Sequence, residues 1–166
     1  MKINIALLTV TDTRTIDNDK SGAILVDKIK KANHNLIDRK ICKDDKNQIV
    51  LLLKDWLQNK KIDVIITTGG TGLTGRDITP EALNEIADKH IPGFGEVFRN
   101  ISLKTVGTSA IQSRACAVLS NGKYIFALPG SSGGVTDAWE GILKHQLDIN
   151  HKPCNFVELY PRLKEK

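Results

Sequence analysis

The run Val64-Ile65-Ile66-Thr67-Thr68 has no charged side chain on either of its alternating faces, and it ends directly in Gly69-Gly70. A short apolar run of this kind is a strand buried on both faces, and such strands occur in parallel sheets covered by helices on either side. The rest of the chain supplies the covers. Ile3 to Val10 reads as a buried first strand, and Ser21 can cap a helix carrying Ile24, Leu25 and Ile29. Leu36 to Cys42 reads as a second strand. Asp44 or Asp45 then opens a helix in which Ile49, Leu52, Leu53, Trp56 and Leu57 recur at helical spacing.

After the glycines, Thr79 reads as an N-cap with Pro80 at the first helical position and Glu81 in the first turn. Pro92-Gly93 precedes a further amphipathic stretch with Phe94, Val97, Phe98 and Ile101 on one face. Asn121-Gly122, between Cys116–Leu119 and Tyr124–Leu128, is a hairpin signal. A last helix carries Val135, Ala138, Trp139, Ile142 and Leu143. Repeated β-α-β units with one hairpin predict a three-layer α/β/α sandwich, mostly parallel with an antiparallel hairpin. Residues 1–166 are expected to form a single domain, since no repeat or linker-like segment interrupts them.

Composition excludes several function classes. No run approaches the ~18 apolar residues of a membrane span. The N-terminus enters a strand pattern without a signal-peptide cleavage site, so a cytoplasmic location is expected. Cys42, Cys116 and Cys154 have neither disulfide nor metal-ligand spacing and read as free thiols. The net charge of +5, from 24 basic and 19 acidic residues, lacks the aromatic-interleaved basic stripe of a nucleic-acid binder. It suits attraction of an anionic metabolite instead. The four histidines form no pair with metal spacing, and no Ser/His/Asp or Cys/His set can be argued from position.

In sheets of this class ligands bind beyond the carboxyl ends of the strands. Three strand ends carry polar or glycine-rich turns: Thr11-Asp12-Thr13-Arg14, Thr67 to Gly72, and Pro129-Gly130-Ser131 with the residues after it. Glycines allow close backbone approach, and consecutive N–H groups make an anion nest. Gly69, Gly70, Thr71, Gly72, Thr11, Asp12, Pro129, Gly130 and Ser131 are therefore expected to line a shared substrate crevice. Gly70-Thr71-Gly72-Leu73-Thr74-Gly75 fits the dinucleotide fingerprint G-x-G-x-x-G, but the helix of that motif would contain Pro80, at a cost of ~3 kcal/mol. No Walker A lysine is present either. Asp77, next to an anion nest, has three readings: a Mg²⁺ ligand bridging to phosphate oxygens, a group that orients a nucleophile, or the cap of its own turn. Phosphoryl or nucleotidyl transfer, which needs mainly positioning and a metal, fits this residue set.

Thr67 to Gly72, Arg76-Asp77-Ile78-Thr79-Pro80-Glu81-Ala82, Ile91-Pro92-Gly93-Phe94-Gly95-Glu96 and Leu128-Pro129-Gly130-Ser131 together resemble the MoaB/MogA family of molybdenum cofactor biosynthesis, whose domain also occurs in gephyrin. The resemblance runs from about Ile5 to Phe156. Gly107 to Ala115 and Pro153-Cys154-Asn155-Phe156 look like the MoaB branch. The resemblance implies a molybdopterin-binding fold and Mg²⁺- and ATP-dependent adenylylation of molybdopterin, with a non-catalytic molybdopterin carrier as the alternative. It places catalytic and metal-holding roles on Asp44 and Asp77. Lys43 stands where the family often has proline, so Asp45 remains a candidate beside Asp44. The resemblance also implies a homotrimer, or a hexamer of two trimers.

Overall fold

The computed structural model describes residues 1–165. Six strands form one sheet in the order β2-β1-β3-β6-β5-β4, where β1 is Asn4–Val10, β2 Asn35–Cys42, β3 Val64–Thr68, β4 Lys89–His90, β5 Cys116–Ser120 and β6 Lys123–Leu128. β2, β1, β3 and β6 run parallel, β5 runs antiparallel to β6, and β4 runs antiparallel to β5. The helices are α1 (Lys20–Lys31), α2 (Lys46–Gln58), α3 (Thr79–Ile86), α4 (Pro92–Val106) and α5 (Ser132–Ala138), with α5 running through a π turn, Trp139–Leu143, into the short α6 (Lys144–Gln146).

The period-2 alternation of the strands splits the core in two. Ile5, Leu7, Ile66 and Phe126 face α1, α4 and α5, meeting Leu25, Ile29, Phe94, Phe98, Trp139 and Leu143. Ala6, Leu8, Ile65 and Ile125 face the other way, onto Ile49, Leu53 and Trp56 of α2 and Leu83 of α3. The result is the expected three-layer α/β/α sandwich. The hairpin turns at Asn121 (φ 47°) and Gly122 (φ 71°), the paired positive φ of a type I′ turn.

Local assignments differ from expectation at four places. Asp19, not Ser21, caps α1, accepting from Gly22 N at 3.0 Å. Ser21 is instead fully buried and donates to Asp19. Thr79 is the first residue of α3 and Ile78 its cap position, because the Thr79 hydroxyl is spent elsewhere, on the Gly69 carbonyl at 2.9 Å. Val97, expected on the packed face of α4, is about half exposed. The two-residue strand β4 carries too little pattern to be read in advance.

The parallel register decides where the site forms. Thr9 of β1 lies beside Thr68 of β3, and Thr68 beside Leu128 of β6, so these strands end level. Their turns are tied together: Thr11 N–H donates to Cys42 O at 2.9 Å, Gly69 N–H to Leu128 O at 3.0 Å, and the Thr68 hydroxyl to Pro129 O at 2.8 Å.

Candidate active site

A cleft of ≈ 760 Å³ opens at this strand edge and is walled by all three turns together with the C-terminal part of α4 and the turn after it. Of the residues expected in the crevice, Thr11, Gly69, Gly70, Thr71, Gly72, Asp77, Pro129, Gly130, Ser131 and Asp44 line it. Asp12 stands outside this lining, bordering a neighbouring depression. There it pairs with Arg76 and accepts from the Asp44 amide at 3.3 Å, so it braces the two acidic turns from behind. Asp45 is also accounted for: it caps α2, accepting from Gln48 N at 2.9 Å. The adjacent carboxylates thus divide the work, Asp45 to the helix and Asp44 to the cleft.

The glycine turn is shaped by contact as well as conformation. Gly69 has φ +101°, and a Cβ there would lie 2.2 Å from the Val10 carbonyl. Gly70 has φ +65°, and its added Cβ would meet the Thr79 hydroxyl at 2.4 Å with Asp44 Oδ1 at 3.4 Å. Only glycine lets this backbone cross between β1 and α3 while staying open to the cleft. The six-residue glycine pattern from Gly70 to Gly75 opens no helix, since α3 begins at Thr79, in keeping with the rejection of a dinucleotide fingerprint.

The structure shows Asp77 as the cap of its own turn and as part of the cleft wall. Its Oδ2 accepts from Thr74 N–H at 2.8 Å and the Thr74 hydroxyl at 2.6 Å, closing the turn, while the residue still lines the cleft. Burial works against its charge, but the Thr74 donors, the Gly72 amide and the Arg114 guanidinium outweigh that and hold its pKa below the usual carboxylate value. Asp44 goes the other way. Burial and then the charge of Asp77 push its pKa up. The two acids therefore feel each other across the Gly70–Gly72 turn, and a cation between them would relieve the repulsion that Asp44 bears.

Sequence reading missed Arg114, which organises this loop. Its own N–H donates to Thr71 O at 2.8 Å, its Nε to Gly72 O at 2.7 Å and its Nη2 to Asp77 O at 2.6 Å. The guanidinium also pairs with Glu81 in the first turn of α3. The only advance signal was its place in the Gly107–Ala115 motif.

Carboxylates, hydroxyls and backbone groups around Asp44 and Asp77 are hard oxygen donors that suit Mg²⁺. Among the described residues no group of three or more His, Cys, Asp or Glu side chains is placed to hold a metal. A two-carboxylate site completed by substrate phosphate oxygens and water is the usual magnesium arrangement, so the residues present fit that ion. Among the described residues no cysteine lines the cleft. Burial pushes Cys42 up to about 12 and Cys116 up to about 11, which keeps both protonated. No helix among the described residues is long and apolar enough to cross a membrane.

Comparison with known proteins gives the family. The family described as "Probable molybdopterin binding domain" matches residues 6–149. Molybdenum cofactor biosynthesis protein B of Escherichia coli (strain K12) is 43% identical over 161 residues, covering 97% of this chain and 93% of its own. The protein of the same name from Bacillus cereus is 41% identical over 147 residues, 88% of this chain and 87% of its own. A crystal structure of a molybdenum cofactor biosynthesis protein B superposes with a TM-score of 0.90 at 36% identity, over 100% of this chain and 98% of that one. The tungsten cofactor synthesizing protein MoaB from Pyrococcus furiosus gives 0.76 at 34% identity, over 84% and 89%. Matched along nearly its whole length in sequence and in fold, the chain belongs to the MoaB/MogA family of molybdopterin-binding domains and to molybdenum cofactor biosynthesis.

Proposed function

We propose that the chain transfers the adenylyl group of ATP to the terminal phosphate of molybdopterin. The observation that carries this reading is the pair Asp44 and Asp77, two carboxylates with opposed pKa shifts facing one cleft across a glycine turn. A pterin-phosphate oxygen forms a bond to the α-phosphorus of ATP, the bond from that phosphorus to the bridging oxygen breaks, and pyrophosphate leaves. A phosphate monoester has its second pKa near ~6, so the nucleophile is already ionised at neutral pH and needs no side-chain base. That matches a cleft lined by no histidine.

The demands on the protein are then placement and charge. Asp44 and Asp77 would hold Mg²⁺, which when bound supplies charge neutralisation on the phosphate oxygens. The Gly70–Gly72 part of the turn lines the same space, and its backbone N–H groups would offer fixed donors. Thr74 and Arg114 keep Asp77 ionised, and therefore ready, at any neutral pH. The same reading carries assembly as a trimer or hexamer, for which Leu103, Val106 and Ile111 offer exposed apolar side chains and sedimentation equilibrium is the measurement.

The reaction is tested by incubating purified protein with molybdopterin, ATP and Mg²⁺ and following pyrophosphate and the adenylylated pterin. Wild type is expected to form both. Asp77→Asn should retain molybdopterin and lose turnover by several orders of magnitude. Wild-type protein that binds molybdopterin and forms neither product would leave a carrier in place of the enzyme.

A further inference from the structure

The charged residues lining the cleft are Arg14, Asp44, Asp77 and Asp137, so among the described residues Arg14 is its one cation. A cleft for phosphorylated ligands with three acids and a single base puts unusual weight on that base, and its surroundings leave its charge uncommitted. The nearest acid is Asp19, whose side chain is fully buried. Asp19 is already satisfied: Arg39 Nη2 donates to it at 3.0 Å, the Thr9 hydroxyl at 2.6 Å, Gly22 N at 3.0 Å and the Ser21 hydroxyl at 3.2 Å. Arg39, at 3.0 Å, is its closer counter-ion. Arg14 Nη1 stands 4.0 Å away, a second cation on a carboxylate that needs only one.

The same Nη1 is tethered at the mouth of the cleft, donating to the Ser21 hydroxyl at 3.1 Å and to the Gly130 carbonyl at 3.1 Å. The Gly130 bond ties the first turn to the third, the Ser21 bond holds it to α1, and together they anchor one nitrogen of the guanidinium. Nε and Nη2 take no hydrogen bond among the described residues, and the side chain is 38% exposed. A planar fork with one nitrogen anchored and its charge unspent is the geometry that binds a phosphate group.

We infer that Arg14 is the cleft's phosphate-contacting residue and sets its preference for phosphorylated over dephosphorylated ligands. This rests on the adenylylation reading only for the identity of the ligands, because the phosphate belongs either to the pterin or to ATP. The experiment compares wild type with Arg14→Gln for molybdopterin against its dephosphorylated form, and for ATP against adenosine, without added metal. Wild type is expected to prefer the phosphorylated member of one pair, and Arg14→Gln to lose about ten- to hundredfold of that preference. The pair in which the preference collapses identifies the phosphate. Equal discrimination by wild type and variant in both pairs overturns the inference, as does a wild type that discriminates in neither.

Should Arg14→Gln melt early, Arg14→Lys keeps the charge and loses the fork. Intermediate discrimination by that variant supports the inference, and full wild-type discrimination overturns it. A protein that passes these comparisons and forms no adenylylated product would remove the reaction proposed above and leave the role of Arg14 standing.

Discussion

Arg114 Nη2 donates to the main-chain carbonyl of Asp77 at 2.6 Å, and its Nε to that of Gly72 at 2.7 Å, so one guanidinium holds both ends of the acidic loop. Glu81 holds the guanidinium in turn. Arg114→Ala strips charged donors from these carbonyls and leaves Glu81 without its partner. The expected loss of stability is about 1–3 kcal/mol. The larger effect falls on turnover, because Asp77 is placed through this clamp. Single-turnover kinetics should slow at least tenfold, and Arg114→Lys should not restore the rate, since an ammonium cannot reproduce the fork. Wild-type turnover by Arg114→Lys would reduce the clamp to a structural ion pair.

Gly69 and Gly75 offer a matched comparison within one loop. A Cβ on Gly69 would sit 2.2 Å from the Val10 carbonyl on a backbone of φ +101°, whereas one on Gly75 meets nothing within 4 Å. Gly69→Ala is expected to cost at least ~2 kcal/mol and to push β1 and β3 apart at the cleft. Gly75→Ala should be neutral or slightly stabilising. Urea midpoints of the two variants decide it, and similar midpoints would mean that the turn relaxes without cost.

What the sequence made legible follows from the range of each interaction. Val64–Thr68 and the Asn121-Gly122 hairpin are written in adjacent residues, through apolar period and turn chemistry, and the structure has both. Asp44 and Asp45 could not be told apart because either can follow β2 and precede α2. Their difference lies in which one the Gln48 amide engages. Thr79 invited the capping assignment because a cap and a brace both need a hydroxyl just before Pro80, and only the folding back of the loop after Gly69 and Gly70 brings Gly69 O within its reach. Arg114 was invisible as a clamp for the plainest reason. Its partners Gly72, Asp77 and Glu81 are 42, 37 and 33 residues away.

Asp19 should make stability depend on acid. Burial raises its pKa, but the Thr9 hydroxyl, the Gly22 amide, Arg39 and Ser21 together pull it below the unfolded value. A folded pKa below the unfolded one adds stability above about pH 4, and that increment fades as pH falls through the folded value. Asp19→Asn leaves Arg39 without its carboxylate and is expected to cost about 3 kcal/mol at neutral pH. The gap between wild type and variant at neutral pH should narrow at an acid pH well below the unfolded carboxylate value of about 4. Urea unfolding at both pH values measures this directly. A gap of constant size would assign the loss to packing and not to charge.

Thr79 separates a helix cap from a site brace. Its buried hydroxyl donates to Gly69 O at 2.9 Å, and Gly70 O accepts from its N–H at 3.0 Å, so the residue grips the glycine turn twice. Thr79→Val keeps the shape and the N–H but leaves the Gly69 carbonyl without its side-chain donor, an expected cost of about 1 kcal/mol. Thr79→Ser keeps the hydroxyl and should stay close to wild type. If the hydroxyl served as a cap, Thr79→Val would lower helicity and stability together and leave ligand affinity alone. As a brace, it lets Gly69 and Gly70 shift in the cleft, so the affinity for molybdopterin should fall along with stability while far-ultraviolet circular dichroism stays unchanged. Unaltered affinity in Thr79→Val would show that the turn holds its shape through the Val10 and Leu128 contacts of Gly69 alone.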